Sequence, residues 1–369
     1  MAVNCGIVGL PNVGKSTIFK ALTAAPAEAA NYPFCTIEPN IGIVNVGDSR
    51  LEQITKLITP QKKIPTVIEF VDIAGLVKGA SKGEGLGNQF LGHIRQVNAI
   101  VHVVRCFDDG NIIHVHGEVD PAHDITTINY ELALADLEVV EKRLYTIQKG
   151  VKSQDKKVKQ EAMIQQPILE RIKIVLEEGQ RAQTCDLSEE DELSIKSLNL
   201  ITLKPVLYLC NVDEDSVVDG NKYVDQVSEI AKADGSEVVV ISGKLEAEIS
   251  LLETLEEKRE FLEAVGIEQS GLETLTKKAY DLLGLCTYFT AGEQEVRAWT
   301  FKEGSKAPQA AGVIHTDFER GFIKAEIYHC EDLFSLESEL KVKEAGKLRI
   351  EGKEYVVKDG DVVHFRFNV

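Results

Sequence analysis

Gly9-Leu-Pro-Asn-Val-Gly14-Lys15-Ser16 fits the pattern G-x-x-x-x-G-K-[ST] at every fixed position. Those residue types at that spacing make a phosphate cradle. Backbone N–H groups from Asn12, Val13 and Gly14 through Ser16 and Thr17 meet phosphate oxygens where a loop turns into a helix. Lys15 is placed to reach the β- and γ-phosphates, and the Ser16 hydroxyl to hold Mg²⁺. A second pattern, Asp72-Ile-Ala-Gly75, follows an apolar run. A carboxylate there suits the Mg²⁺ shell, and the Gly75 N–H suits a γ-phosphate. Gly79, Gly83, Gly85 and Gly87 follow, a composition too permissive for a plain helix and suited to a switch loop. Thr36, in Tyr32-Pro-Phe-Cys-Thr36, stands where a first switch segment belongs. It is a candidate third oxygen for the metal, with an ordinary loop threonine as the alternative.

Nucleotide identity turns on Asn211-Val-Asp-Glu214. Guanine-specific switches carry N-K-x-D, where the Asp accepts both guanine N–H groups and the Lys stem covers the base. Here Val212 replaces the Lys and Glu214 the Asp. A carboxylate aimed at adenine meets an acceptor at N1, so Glu214 should be displaced from the base, guanine reading should be weak, and ATP is favoured over GTP. Ser242-Gly243-Lys244 is placed to offer backbone contacts to the base. For hydrolysis, Ras-like switches orient water with a Gln directly after D-x-x-G. That position is Leu76, which cannot hydrogen-bond to water. The candidate substitute is His114 in Asn111-Ile-Ile-His114, with a merely structural histidine as the alternative. The catalytic set is therefore Lys15, Gly75 and His114. His102 and His116 read as structural, and two histidines at i, i+2 make a poor zinc site.

These residues need a scaffold with several strand ends on one edge. Strands are expected at Val3–Val8, Ile41–Val46, Thr66–Val71, Ala99–Val104, Pro205–Leu209 and Glu237–Ile241. Several are apolar at nearly every position, as strands covered on both faces should be. Their alternation with helical stretches predicts an α/β, doubly wound and mainly parallel sheet. Between about Tyr130 and Arg181 the strand pattern vanishes. The stripes Leu137, Val140, Leu144, Ile147 and Ile164, Ile168, Ile172, Val175 predict an antiparallel helical hairpin with its tip near 150–159. Helices are expected at Leu251–Val265 and Leu272–Leu283. After Gly284, short strands and turns return. Asp359-Gly360 between two β-rich arms predicts a hairpin. The expected organisation is an NTPase domain at 1–128 and 198–283, a helical insert at 129–197 and a third domain at 284–369.

Composition narrows the class. The 369 residues are 44% hydrophobic and 27% charged, as in soluble globular chains. No apolar run approaches a membrane span, and no signal peptide is expected. Seven widely spaced cysteines without a C-x-x-C pair suit a reducing cytoplasm. A net charge of −18 argues against nucleic-acid binding by bulk charge, and no DNA specificity is expected. The segment 138–173 departs from that balance, with nine Lys/Arg against five Asp/Glu. Lys149, Lys152, Lys156, Lys157 and Lys159 sit at the expected hairpin tip, placed for phosphate contacts; a solvated charged loop is the alternative.

The blocks Gly9–Thr17, Asn31-Tyr-Pro-Phe-Cys-Thr-Ile-Glu-Pro39, Asp72–Asn88 and Val104-Arg-Cys-Phe107 closely resemble the YchF family of Obg-like P-loop ATPases. Ala307–Ile323 resembles that family's TGS domain, a β-grasp module. The resemblance runs from residue 3 to Val369. It implies an ATP-preferring hydrolase with Mg²⁺, built from a P-loop NTPase domain, a helical hairpin and a TGS domain. It also implies association with the ribosome or its large subunit through an RNA-facing surface on the hairpin and TGS domain. By resemblance, His114 matches the family's proposed water-positioning histidine, Thr36 its first-switch threonine, and Asn12 an asparagine associated with K⁺ in related NTPases. Asn211-Val-Asp-Glu214 agrees with the family's N-x-x-E, whereas Gly243 stands where Ala is more usual. Two other readings stay open: a GTP-dependent assembly factor of Obg type, and a nucleotide-gated binding module with little turnover.

Overall fold

Short apolar runs set the sheets of this computed structural model, which describes residues 3–24, 41–73, 86–115 and 117–368. The strands are β1 (Asn4–Val8), β2 (Ile41–Asn45), β3 (Lys62–Ile64), β4 (Val67–Asp72), β5 (Ala99–Arg105), β6 (Val206–Asn211) and β7 (Glu237–Ile241), then β8 (Leu285–Ala291), β9 (Glu295–Lys302), β10 (Phe322–His329), β11 (Arg349–Glu351) and β12 (Asp361–Phe367). The first sheet runs β2-β4-β1-β5-β6-β7. β1 pairs in parallel with β4 and β5, β5 with β6, and β6 with β7. Every residue of β5 and β6 is buried, as befits central strands that are apolar at most positions. All six expected strands form, within a residue or two of their expected ends. This is the expected α/β P-loop fold.

The helices that matter for the site are α1 (Lys15–Ala24), α2 (Ser49–Ile58), α3 (Leu86–Gln96), α4 (Pro121–Gly150) and α5 (Lys156–Glu177). The last two form the expected hairpin. Asp120 starts α4 by accepting from His123 N at 3.1 Å, with Pro121 in the first turn; Asp155 starts α5 by accepting from Lys157 N at 2.8 Å. The insert boundary expected at 129 therefore falls inside one continuous helix. Val140 and Ile147 pack with Ala162, Ile168, Leu169, Ile172 and Leu176. Ile164, expected on that stripe, is 49% exposed. Gln165 turns inward instead, because Arg143 Nε donates to its Oε1 at 2.8 Å and its Nε2 donates to Ser194 O at 2.6 Å. The root of the hairpin is tied to α3: Arg95 pairs with fully buried Asp136 at 3.0 Å, and Thr202 donates to the same carboxylate from N at 2.7 Å and Oγ1 at 2.8 Å.

The chain forms two compact units, 1–42 with 69–275 and 43–68 with 276–369. The second differs from the expected domain at 284–369. It takes in α2 and β3, which lie far upstream. Its sheet runs β11-β10-β12-β8-β9-β3, with β3 parallel to β9 at the register Lys62↔Glu295. Leu51 and Ile54 of α2 join Phe289, Val296, Tyr328 and Val362 in the core. Arg50 pairs with both Asp48, at 2.8 Å, and Asp359, at 2.5 Å.

The hairpin expected around Asp359-Gly360 does not form. β12 pairs antiparallel with β10 and parallel with β8, while among the described residues Tyr355–Lys358 makes one bridge, Lys306↔Val356. The turn residues are engaged elsewhere. Asp359 accepts from Thr287 N at 2.8 Å and Gly360 N donates to Thr287 O at 2.8 Å, which turns the first arm out of the sheet. Among the described residues no helix is long and apolar enough to cross a membrane.

Candidate functional site

Parallel pairing collects the expected site at the carboxyl ends of the strands, where open α/β sheets bind ligands. Register Ile7↔Asp72 sets the end of β4 beside the end of β1, and Arg105↔Asn211 aligns the ends of β5 and β6. From β1 the chain turns through Gly9–Gly14 into α1, whose first bonds are Thr17 N to Gly14 O at 3.1 Å and Ile18 N to Gly14 O at 3.0 Å. Gly14 has φ +91°, and a Cβ on it would lie 2.1 Å from Asn211 Nδ2. Only glycine fits both demands.

Lys15 and Asp72 form an ion pair across the mouth of this loop. Ser16 and Thr17 are exposed on the first turn of α1. Val13 is buried, so its side chain anchors the loop and its backbone is what a phosphate can meet. Asn12, with φ +63°, donates from Nδ2 to Ile113 O at 3.1 Å. His114 is next to that carbonyl, but it is buried. Its Nε2 lies 2.9 Å from Asp124 Oδ2 of α4, with both side chains 3% exposed. Thr36, Gly75, Leu76 and the glycines 79, 83 and 85 lie outside the described residues, as does His116.

Asn211 is the tie between the phosphate loop and the base loop. Its Nδ2 donates to Val13 O at 2.9 Å, and its Oδ1 accepts from Gly243 N at 2.9 Å. Val212 is 3% exposed, so it presents no side chain where a guanine-specific switch has its lysine. Glu214 is exposed and pairs with Lys244 at 2.7 Å; that hydrogen bond holds the Lys244 ammonium above the ordinary lysine range. Lys244 is a partner for Glu214 that the sequence did not suggest. Ser242 is buried and accepts from Leu245 N at 3.5 Å, starting the helix Gly243–Ile249. A Cβ at position 243 would stand 3.2 Å from Ile18 Cγ1 and 3.3 Å from Asn211 Oδ1, so glycine relieves a tight contact there.

The same short helix carries buried Glu246, whose Oε1 accepts from Gly271 N at 2.7 Å. Burial lifts its carboxyl to about 7 from the ordinary 4.5, against the lowering effect of the Gly271 hydrogen bond. A carboxyl raised in the folded state binds its proton more tightly there than in the unfolded chain. Its contribution to stability is therefore fully present below about pH 4.5 and is lost as pH rises through about 7. We expect Glu246→Gln to remove on the order of 1–3 kcal/mol of that pH dependence. Urea midpoints at pH 5 and pH 8 check it, and an unchanged difference between the two overturns it.

The donors fit a magnesium nucleotide. A carboxylate at the end of β4 reaches the phosphate-loop lysine, and the exposed Ser16 hydroxyl follows directly after that lysine. Oxygen donors of this kind are what Mg²⁺ prefers. Two residues beside the site have no role that the sequence assigns: Arg105, which stands in the block Val104-Arg-Cys-Phe107, and Asp124, a carboxylate ten residues past His114.

A family model described as 50S ribosome-binding GTPase matches residues 4–149, and a C-terminal YchF-GTPase model, described as a protein of unknown function, matches residues 285–368. The protein named Ribosome-binding ATPase YchF in Bacillus subtilis (strain 168) is 58% identical over 371 residues, covering 100% of both chains. Its namesake in Escherichia coli O157:H7 is 54% identical over 369 residues, again covering 100% of both. The solved structure of the Schizosaccharomyces pombe YchF GTPase superposes with a TM-score of 0.89 at 41% identity, over 99% of this chain and 97% of that one. With a matching phosphate loop, sheet order and full-length similarity, the chain belongs to the YchF family of P-loop NTPases.

Proposed function

We propose that the chain is an ATP-hydrolysing switch that associates with the ribosome in the cytoplasm. The observation that carries the nucleotide choice is the base loop: Val212 is buried, and Glu214, at the position of the guanine-reading Asp, is engaged by Lys244. The names of relatives 58% and 54% identical over their whole length support ATP and the ribosome. The name of the S. pombe neighbour and the description of the N-terminal family model speak of GTP instead. The choice between the two nucleotides therefore falls to the base loop and to experiment.

In this reading the N–H groups from Asn12 to Thr17 hold the phosphates and Lys15 bonds the β- and γ-phosphates. Ser16, Asp72 and Thr36 would hold Mg²⁺, which would supply positive charge against that developing on the transferred phosphoryl group. The Gly75 N–H meets the γ-phosphate, and Asn12 is the group to face K⁺. Asn211, Val212, Glu214, Ser242 and Gly243 border the base, chiefly through backbone. His114 orients the attacking water in place of a glutamine. Because it sits on Asp124, that role requires the His114 side chain to leave Asp124 and turn outward while the backbone of 111–113 stays in place.

Calorimetric titration with ATP and GTP, each with Mg²⁺, tests the nucleotide choice: tighter ATP binding is expected, and tighter GTP binding overturns it. For the ribosome, the exposed tip lysines Lys149, Lys152, Lys156, Lys157 and Lys159 are the phosphate-facing group, with Lys149 stacked 4.5 Å from the Tyr145 ring centre. Changing all five to Glu is expected to abolish co-sedimentation with ribosomes at moderate salt and to spare intrinsic ATPase. Unchanged sedimentation removes the tip from the interface.

A further inference from the structure

Arg105 closes β5 and is only 1% exposed. Its guanidinium donates from Nε to Phe107 O at 3.1 Å, from Nη1 to Ile112 O at 3.0 Å and from Nη2 to Asp109 O at 3.3 Å. It also stacks 4.6 Å from the centre of the Phe107 ring. Burying a guanidinium is costly unless its donors are bonded. Here the bonds go to three carbonyl oxygens of one loop. A planar fork with donors pointing several ways can fix all three at once, which a lysine cannot.

The loop it fixes is the one that meets the phosphate loop. Ile112 O is bound by Arg105, Ile113 O by Asn12 at 3.1 Å, and His114 by Asp124 at 2.9 Å. Three successive residues are thus fastened to three elements: the end of β5, the phosphate loop and α4. At its other end, Cys106 O accepts from Asn221 Nδ2 at 2.8 Å, and Asp108 accepts from the Tyr223 hydroxyl at 2.9 Å. Ile113 is 80% exposed and Val115 51%, so burial of apolar surface does not hold this stretch. Polar fastening does, and Arg105 makes the largest share of it.

We infer that Arg105 is a positioning residue for the nucleotide site. By fixing the Ile112 carbonyl, it sets where Ile113 meets Asn12 and where His114 stands. This rests on the ATPase reading and adds to it a residue that touches neither nucleotide nor water. A residue acting through Asn12 and His114 moves turnover more than ground-state binding, which a general loss of packing does not.

The test uses the full chain and measures ATP turnover, KM and ADP affinity for Arg105→Lys, Asn12→Ala and the double variant. We expect Arg105→Lys to lower kcat at least about tenfold, with KM and ADP affinity within about threefold. Because the two residues act through one loop, the double variant is expected to lose no more than the worse single variant. A kcat within about threefold of wild type, or losses that multiply in the double variant, overturns the inference. If Arg105→Lys does not fold, Arg105→Gln decides by the same criteria, since it buries no charge and cannot hold the three carbonyl oxygens together. Absence of turnover in the wild type sinks the ATPase reading and not this one. The coupling of Arg105 to Asn12 is then read in the release rate of a fluorescent ATP analogue, where independent effects overturn it.

Discussion

Replacing Lys15 with alanine is expected to weaken MgATP binding at least about a hundredfold and to take turnover below detection. The ammonium stands at the first residue of α1, between the phosphate loop and Asp72. With nucleotide bound it makes charge-assisted bonds to two phosphates, each worth about 1.5–3 kcal/mol. Their joint loss is about 3 kcal/mol or more, and every 1.4 kcal/mol is about tenfold in affinity. The fold should survive, because losing one partly exposed ion pair costs about 1 kcal/mol or less. Calorimetry on both proteins, with circular dichroism to check folding, measures this directly. Binding within about fivefold of wild type would mean that the loop does not hold phosphates through Lys15.

The second large effect belongs to Asn211, which touches both halves of the site. Asn211→Ala leaves Val13 O and Gly243 N without their partners in a buried place, and each orphaned group costs about 1–3 kcal/mol. A loss of about 2–4 kcal/mol in stability is expected, with ATP and GTP affinity falling together because the phosphate loop and base loop come apart. Asn211→Asp separates the two bonds. It keeps an acceptor for Gly243 N but sets a carboxylate against the Val13 carbonyl, so it should fall at least as far as alanine. Urea denaturation and nucleotide titration read both variants. An unchanged urea midpoint in Asn211→Ala would show that the amide ties nothing together.

Local chemistry made much of this legible. The phosphate loop, the six strands of the first sheet and the helical hairpin are written as short-range patterns, and each forms where its pattern lies. What escaped depends on distant partners. Lys62–Ile64 is polar and only three residues long, so nothing in its own sequence marks a strand; β9 makes it one. Asp359-Gly360 has the local signature of a hairpin, but bonds to Thr287 and Arg50 override it. Gln165 takes a buried position because Arg143 and Ser194 satisfy its amide, a matter periodicity cannot express. At the site, motif spacing named Lys15, Asp72 and Asn211. The Glu214–Lys244 pair and the Arg105 fork depend on how loops close, which no spacing encodes.

The division of the chain sets the order in which it can fold as it is synthesised. Leu51, Ile54 and β3 find their partners among residues whose codons come more than two hundred positions later, such as Phe289 and Glu295. Until those are made, α2 and β3 wait as an unpaired excursion in a nascent chain whose flanking strands belong to the first sheet. Closing so long a loop is slow, and exposed edges and apolar faces in the interval invite aggregation. A premature stop after residue 275 would therefore do more than remove the C-terminal unit: it would leave Leu51 and Ile54 with no core to enter.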